Sequence, residues 1–174
     1  MSAALRSRSP GSIVGGYPRN QARDRFREPL GAVAVGVSPT AVAFGPLRVA
    51  KAFAPVLAAN GGGALVNLHS VTAWIAGFPG SGTYGAAKAA LISMTNDLRV
   101  ELASQGTQVL GAQFGLTDTD LVRDLAGPKN DPATVAAEII TALAKGETEV
   151  LADDKAHYFK PLLSGPVEGL IVNR

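Results

Sequence analysis

The sequence predicts an α/β fold in which an open parallel sheet is flanked by helices, and three observations lead to this prediction. Short apolar runs of strand length alternate along the chain with longer segments of helical periodicity. Glycine or asparagine follows most of the predicted helices, as is typical of a helix end. Hydrophobic residues make up 47% of the 174 residues and charged residues 17%, so that the chain can bury the core of such a sheet.

Residues 1–29 are predicted to form an irregular basic leader, and residues 30–174 a single domain. The leader contains proline and glycine without a clear periodicity. Six arginines in residues 1–40 oppose only Asp24 and Glu28, a balance of +4, so that the rest of the chain carries −2 of the overall +2. A basic arm of this kind is more often solvated than bound to nucleic acid. A faint resemblance to an organelle transit peptide is an alternative interpretation.

The composition excludes several classes of protein. The absence of cysteine excludes disulfides, zinc–thiolate sites and thiol catalysis, and it suits a cytoplasmic protein. No charged residue lies between Lys51 and Lys88, but proline and glycine interrupt that stretch too often for a membrane span. We therefore expect the buried centre of a soluble domain, with no metal site and no membrane or nucleic-acid partner.

Three elements are predicted ahead of the most informative part of the chain. The first is a short apolar run from Gly31 to Val37, which has the composition of a strand. The second is a helix from about Thr40 to Ala59, ended by Asn60 and the glycines after it. The apolar residues on one face of this helix are Val49, Phe53 and Val56. The third is a buried strand from Ala64 to Leu68.

Ser70, Tyr84 and Lys88 are the candidate catalytic residues. Ser70 follows the predicted buried strand, and a loop rich in glycine and proline leads from it to a long helix. Tyr84 and Lys88 lie in the first turns of that helix, and residues four apart share a helix face. If the loop brings Ser70 over this face, then a hydroxyl, a phenol and an ammonium group converge at one point.

These three groups suit the interconversion of a carbonyl and an alcohol. The Lys88 ammonium is expected to stabilise the phenolate and so to lower the pKa of Tyr84 from its usual value near 10. A tyrosine tuned in this way can transfer a proton to or from an alcohol oxygen. The Ser70 hydroxyl would donate a hydrogen bond to the same oxygen as its charge develops. The hydride would come from a cofactor.

The remaining elements follow the same alternation. The long helix has a predicted core stripe of Ala87, Leu91, Met94, Leu98 and Leu102 and a flatter face of Ala86, Ala90 and Ser93, and Gly106 closes it. The elements predicted after it are a strand at Gln108–Phe114, a helix opened by Asp131 and Pro132, a strand at Glu149–Leu151 and a helix at Asp153–Leu163. His157 is predicted to be a surface residue. His69 is interpreted as a neighbour of Ser70 rather than as a base.

Ser70, Tyr84 and Lys88, in this order and spacing, resemble the catalytic triad of the short-chain dehydrogenase/reductase family. The segment Gln113–Thr119 is similar to the Pro-Gly-x-x-x-Thr segment of that family, with Phe114 where proline is usual. The resemblance covers roughly residues 41 to 166. It implies a Rossmann-like fold, with NAD or NADP as cofactor and a small-molecule carbonyl or alcohol as substrate.

The resemblance also implies a role for each residue. Tyr84 would be the acid/base, Lys88 would lower its pKa and bind the nicotinamide ribose, and Ser70 would orient the carbonyl. Gly115 and Thr119 would help to seat the nicotinamide, although Thr119 also has the position of a helix cap. Trp74, Ile75 and Phe78 suggest an apolar side to the substrate pocket. Pairing of two helices across an interface would make the chain a homodimer or homo-oligomer.

Two features of the family pattern are missing from the sequence. There is no glycine-rich turn to bind a pyrophosphate. There is also no acidic or basic side chain further on that would bind the ribose. Val42 stands where the family often has an asparagine that holds a water. We therefore expect a family member shortened at its N-terminus, whose sheet lacks the first βαβ units. The alternative is a truncated, cofactor-deficient pseudoenzyme that acts as an association module, through its helix pair or an exposed sheet edge.

Overall fold

A computed structural model describes residues 38–78 and 81–172 of the chain. The helices and strands, in order, are α1 (Pro39–Ala59), β1 (Gly63–Leu68), α2 (Gly82–Glu101), β2 (Thr107–Gln113), α3 (Pro132–Ala144), β3 (Glu149–Leu151) and α4 (Asp154–Phe159). The basic leader and the strand predicted at Gly31–Val37 lie outside the described residues. Each predicted element after them is present. At the majority of the boundaries, the observed end lies within two residues of the predicted one.

The three strands form one parallel sheet in the order β1–β2–β3. Gly63 of β1 pairs with Thr107 of β2, and Gly111 of β2 pairs with Glu149 of β3. Parallel neighbours require a crossover between them, and α2 and α3 provide the two crossovers. The predicted α/β class and the Rossmann-like parallel sheet are therefore confirmed.

Helices cover both faces of the sheet, and alternate residues of β2 contact different helices. Val109 of β2 packs with Leu98 and Leu102 of α2 and with Ala50 of α1. On the opposite face, strand residues pack against α3 in a second cluster formed by Leu110, Ala112, Val135, Ala142, Val150 and Ala152. β2 is almost wholly buried because it has a strand on either side and a helix on each face.

Local sequence signals set where the helices start and stop. The Asp131 carboxylate accepts hydrogen bonds from the backbone N–H groups of Ala133 and Thr134, which caps α3 at its N-terminus. At the C-terminal end of α2, a short 3₁₀ turn leads to Gly106, whose φ of +72° favours glycine. Both signals were predicted from the sequence.

Two predictions about the elements are corrected. β1 was expected to be buried, but only Asn67 is buried and Leu68 is 49% exposed. Among the described strands β1 pairs with β2 alone. The last helix was expected to reach Leu163. It ends at Phe159, and residues 160–164 form a 3₁₀ turn because Pro161 has no N–H to continue the α-helix.

The outer face of α1 is apolar and exposed. Val49, Phe53 and Val56 are each 52–55% exposed, and we call these three residues the α1 stripe. By length and composition, with a mean hydropathy of 1.4, α1 could cross a membrane. Its opposite face is part of the domain core, because Ala50 is buried against α2 and the sheet.

Candidate active site

Ser70 lies immediately beyond the carboxyl end of β1. Its backbone is extended, and it forms the N-cap of a 3₁₀ turn at Val71–Ala73. The Ser70 Oγ accepts hydrogen bonds from the backbone N–H of Thr72 at 3.3 Å and from the Thr72 Oγ1 at 2.9 Å. The hydroxyl is therefore held in one place at the edge of the sheet where α/β proteins bind ligands.

Tyr84 and Lys88 approach Ser70 from α2. The Lys88 Nζ donates a hydrogen bond to the Leu68 carbonyl oxygen at 2.7 Å, two residues before Ser70. The same Nζ lies 5.7 Å from the centroid of the Tyr84 ring, within the range of a cation–π contact. The Ser70 hydroxyl lies close enough to the Tyr84 phenol to lower its pKa through a hydrogen bond. The structure thus brings the three predicted catalytic residues together.

Burial dominates the electrostatics of this site. Burial raises the pKa of the Tyr84 phenol above its ordinary value, and the hydrogen bond with Ser70 partly opposes the rise. Burial also lowers the pKa of the Lys88 ammonium. The net shift of the Tyr84 pKa is therefore upward rather than downward, and the contribution of Lys88 to it stays a prediction. The Lys88 ammonium lies over the ring face and donates to a backbone carbonyl.

Gly85 sets how closely α2 approaches the turn after Ser70. A Cβ atom at Gly85 would lie 2.5 Å from the carbonyl oxygen of Thr72, closer than real contacts allow. The absence of a side chain at Gly85 lets the helix backbone touch the turn. This contact brings Tyr84, the preceding residue of the helix, close to Ser70.

The two remaining predicted residues lie on the loop after β2. The Gly115 N–H donates to the Asp153 carboxylate at 2.7 Å, and a Cβ at Gly115 would lie 2.9 Å from the Lys155 side chain. Thr119 is exposed and donates from its hydroxyl to the Thr117 carbonyl at 3.4 Å. It occupies an N-cap position, but its side chain makes no capping hydrogen bond. Within the described residues neither Gly115 nor Thr119 has a hydrogen bond to the triad.

An apolar cavity of about 360 Å³ adjoins the site. Thr72, the partner of Ser70, lines it, as does Gly85, the neighbour of Tyr84. The apolar residues that line it include Trp74, Ile75, Phe78, Ala89, Leu170 and Ile171. Ser70, Tyr84 and Lys88 are not among its lining residues. The apolar surface predicted from Trp74, Ile75 and Phe78 thus lies beside the triad, against the first turns of α2.

Sequence reasoning missed a buried polar cluster behind the site. It consists of Asn67, His69, Thr95 and Gln113, each at most 4% exposed. His69 was interpreted only as a neighbour of Ser70, and the other three were assigned no role. Their positions on the inward-facing sides of β1, α2 and β2 were the available signal, because polar residues at such positions need hydrogen-bond partners. The other histidine, His157, is exposed, as predicted.

Comparisons with known sequences identify relatives of the chain. A family model described as short chain dehydrogenase matches residues 41–130, just over half of the chain. The short-chain dehydrogenase ptmH of Penicillium ochrochloron is 35% identical over 112 residues, which are 61% of this chain and 39% of that protein. Oxidoreductase UcpA of Escherichia coli K12 is 33% identical over 57% of this chain and 38% of that protein. The chain thus spans about two fifths of the length of these curated relatives.

Solved structures extend the likeness to the fold. A short chain dehydrogenase from Burkholderia cenocepacia, solved in complex with NADP, is 27% identical with a TM-score of 0.70, over 86% of this chain and 70% of that one. A short-chain dehydrogenase from Streptomyces avermitilis is 30% identical with a TM-score of 0.57, over 67% of this chain and 51% of that one. With its parallel sheet and its converging Ser70, Tyr84 and Lys88, the chain belongs to the short-chain dehydrogenase/reductase family.

Proposed function

We propose that this protein is an NAD(P)-dependent oxidoreductase of the cytoplasm that interconverts a carbonyl and an alcohol through Ser70, Tyr84 and Lys88. The observation that carries the proposal is the meeting of these three side chains at the carboxyl end of β1. Lys88 donates a hydrogen bond to the Leu68 carbonyl, and Ser70 lies close enough to Tyr84 to influence its pKa. A substrate oxygen placed between the two hydroxyls would be held by both of them.

At neutral pH Tyr84 is in the protonated form that the reducing direction needs. A phenol with a raised pKa is protonated at neutral pH, so that it can donate a proton to a carbonyl oxygen as negative charge develops there. Ser70 donates a second hydrogen bond to the same oxygen. The Lys88 cation, close to the Tyr84 ring, stabilises the phenolate that remains after the transfer.

The residues present fit the nicotinamide half of a dinucleotide. The Lys88 ammonium uses one N–H on Leu68, and the described residues offer no acceptor to the other two, which suit the hydroxyls of a ribose. Thr119 is exposed near the end of the sheet where it could bind the carboxamide, and the cofactor would supply or accept the hydride. The NADP complex of the Burkholderia relative supports this assignment. We propose either NAD or NADP.

The substrate would be a small carbonyl compound or alcohol with an apolar substituent. The apolar cavity of about 360 Å³ beside Ser70 and Tyr84 has the size of a typical small-molecule pocket. Thr72 connects the two regions, since it donates to Ser70 and also lines the cavity. The apolar substituent would enter this cavity while the oxygen contacts the triad.

Two measurements test the proposal. Calorimetric titration of the folded protein with NADH and with NADPH should give saturable binding at micromolar concentrations. In a carbonyl-reduction assay Tyr84→Phe should lose at least a hundredfold in kcat, because a positioned acid contributes about 10²–10⁴-fold. Tyr158→Phe, which changes an exposed tyrosine on α4, should retain full activity. Equal activity in the two variants would contradict the role of Tyr84, and no binding at millimolar cofactor would contradict the enzyme assignment.

A second candidate function rests on the α1 stripe. Exposed apolar side chains in a row mark a surface that binds another protein. Beside them, α2 presents the exposed small residues Ala86, Ala90 and Ser93, which permit close helix packing. We propose that a second copy of the chain packs here to form a homodimer. If cofactor binding fails, this association is the function that remains, as in a pseudoenzyme.

A further inference from the structure

The cluster of Asn67, His69, Thr95 and Gln113 connects three elements behind the candidate active site. Asn67 belongs to β1, Thr95 to α2 and Gln113 to the end of β2, and His69 lies between β1 and Ser70. The imidazole packs against the backbone of β2, since a Cβ atom at Gly111 would lie 2.6 Å from the His69 Cε1. The ring therefore has little freedom to move.

The hydrogen bonds of Thr95 determine the tautomer of His69. The Thr95 Oγ1 donates its only proton to the Leu91 carbonyl at 2.7 Å, so it acts as an acceptor for every other partner. It accepts from the Asn67 Nδ2 and from the His69 Nε2, both at 2.9 Å. The proton of the neutral imidazole is therefore on Nε2. The bare Nδ1 accepts from the Gln113 Nε2 at 3.3 Å.

The charges around the ring favour this neutral form. Lys88 and Arg99, both on α2, are the cations that act on His69, while β1 and β2 contribute the neutral amides of Asn67 and Gln113. Burial, Lys88 and Arg99 together lower the pKa of His69 to about 4. A second ring proton would also leave the Gln113 N–H pointing at another donor.

His69 occupies a position from which it can align the triad. Leu68, the residue before it, accepts the hydrogen bond of Lys88, and Ser70 is the residue after it. Its Nε2 is bonded to Thr95, which lies two helical turns beyond Lys88 on the same helix. One ring thus connects the serine segment to the helix that carries the tyrosine and the lysine.

We propose that His69 is a positioning residue whose imidazole, protonated at Nε2, fixes α2 against the ends of β1 and β2 and so aligns Tyr84 and Lys88 with Ser70. It contacts neither substrate nor cofactor. The proposal rests on the proposed function for its catalytic consequence, but the alignment itself is measurable without turnover. A misplacement of about 1 Å in such a site lowers the rate by about a hundredfold.

The first test is the state of the imidazole. The chain has two histidines, and His157 is exposed, so that His157→Asn leaves one imidazole signal in an NMR spectrum. We expect nitrogen shifts of a ring protonated at Nε2 and bare at Nδ1, unchanged between pH 8 and pH 5.5. A ring protonated at Nδ1, or a titration near pH 6.5, would overturn the proposal.

The second test compares His69→Gln with His69→Leu in the full chain. Gln keeps an N–H donor for Thr95, and Leu has nearly the same shape without a donor. The readout is the Cζ carbon shift of Tyr84 in ¹³C-labelled protein, assigned by its loss in Tyr84→Phe. We expect a displaced signal in the Leu variant and a signal near that of the unmodified protein in the Gln variant. An unmoved signal in a folded Leu variant would refute the alignment role.

Two further comparisons complete the test. If the Leu variant does not fold, Thr95→Val is compared with Thr95→Ser. Val removes the hydroxyl that accepts from His69 with little change of shape, whereas Ser keeps it. We expect the Tyr84 signal to be displaced in the Val variant and not in the Ser variant. In the reduction assay the Leu variant should lose about tenfold to a hundredfold in kcat with KM for NADPH within about twofold. Correct NMR signals without any turnover would refute the proposed function and leave the alignment role intact.

Discussion

At the scale of single residues, the Tyr84 phenol is acted on in two directions. Burial withdraws water from the phenolate and raises the pKa, while the hydrogen bond with Ser70 stabilises the phenolate and lowers it. Burial has the larger effect, so the Tyr84 phenol is protonated at neutral pH. Within the part of the chain that the structure describes, Lys88 contacts the ring face and donates to one backbone carbonyl.

His69 makes the stability of the protein depend on pH. Its pKa falls from 6.5 in the unfolded chain to about 4 in the folded protein, so the unfolded chain binds more protons between these values. Stability from this residue is complete above pH 6.5 and is lost as the pH falls toward 4. A shift of this size corresponds to about 3 kcal/mol of unfolding free energy. Urea unfolding from pH 7 to pH 4 should show this loss.

The matched variants separate His69 from the other titrating groups. His69→Gln should remove this part of the pH dependence, whereas His157→Asn, an exposed histidine on α4, should follow the unmodified protein. Parallel curves for the His69→Gln variant and the unmodified protein would contradict the prediction.

Short-range geometry explains which site residues could be predicted. Tyr84 and Lys88 lie one helical turn apart, so their shared face follows from the sequence alone. The position of Ser70 at the edge of the sheet follows from the predicted end of β1. The bonds from His69 to Thr95 and to Gln113 span 26 and 44 residues, and these contacts depend on how α2 and β2 pack on β1. Burial determined the pKa of Tyr84, and the sequence pattern contains no measure of burial.

At the scale of elements, the contact between α2 and the turn after β1 determines the shape of the site. Gly85 is buried, and its missing side chain permits the approach of the Thr72 carbonyl. Helix boundaries were predicted well because caps, prolines and glycines act locally. The exposure of β1 was not predicted, because it depends on which strands lie beside it.

Substitution of two helical glycines tests this contact. Gly85→Ala should lower the free energy of unfolding by about 1–3 kcal/mol and weaken any cofactor binding, because the added methyl collides with the backbone of Thr72. Gly45→Ala in α1 is the control, since a Cβ there meets nothing within 4 Å. It should leave stability unchanged or raise it by less than about 1 kcal/mol, from the higher helix propensity of alanine. Thermal unfolding that ranks the two variants in the reverse order would contradict the prediction.

At the scale of the whole molecule, one side of the domain carries both exposed apolar residues and small residues. The α1 stripe lies next to α2 on the same face of the sheet. The sequence showed that these residues share a helix face, but exposure depends on what packs against the helix. A surface of this kind is the reason for the proposed homodimer.

Sedimentation velocity tests the homodimer. Phe53→Glu should raise the dissociation constant by about thirtyfold or more, because loss of a central aromatic anchor costs about 2 kcal/mol. Tyr158→Glu, at an exposed aromatic outside the α1 stripe, should sediment like the unmodified protein. Tyr84→Phe should also leave the oligomeric state unchanged. A monomer in the unmodified protein at 100 μM would rule out this association.

The order of the strands also has a consequence for how the chain folds. β2 is the central strand, and its first pair with β1 joins Gly63 to Thr107, 44 residues apart. Every pairing of β1 with β2 therefore closes a long loop, and loops of this length form late and slow folding. The helix α2 and the strand β2 are adjacent in sequence, so they can pack together first and form a folding nucleus. Refolding should be limited by the docking of β1 onto this nucleus, and during that step the unpaired backbone N–H and C=O groups of β2 are open to other chains.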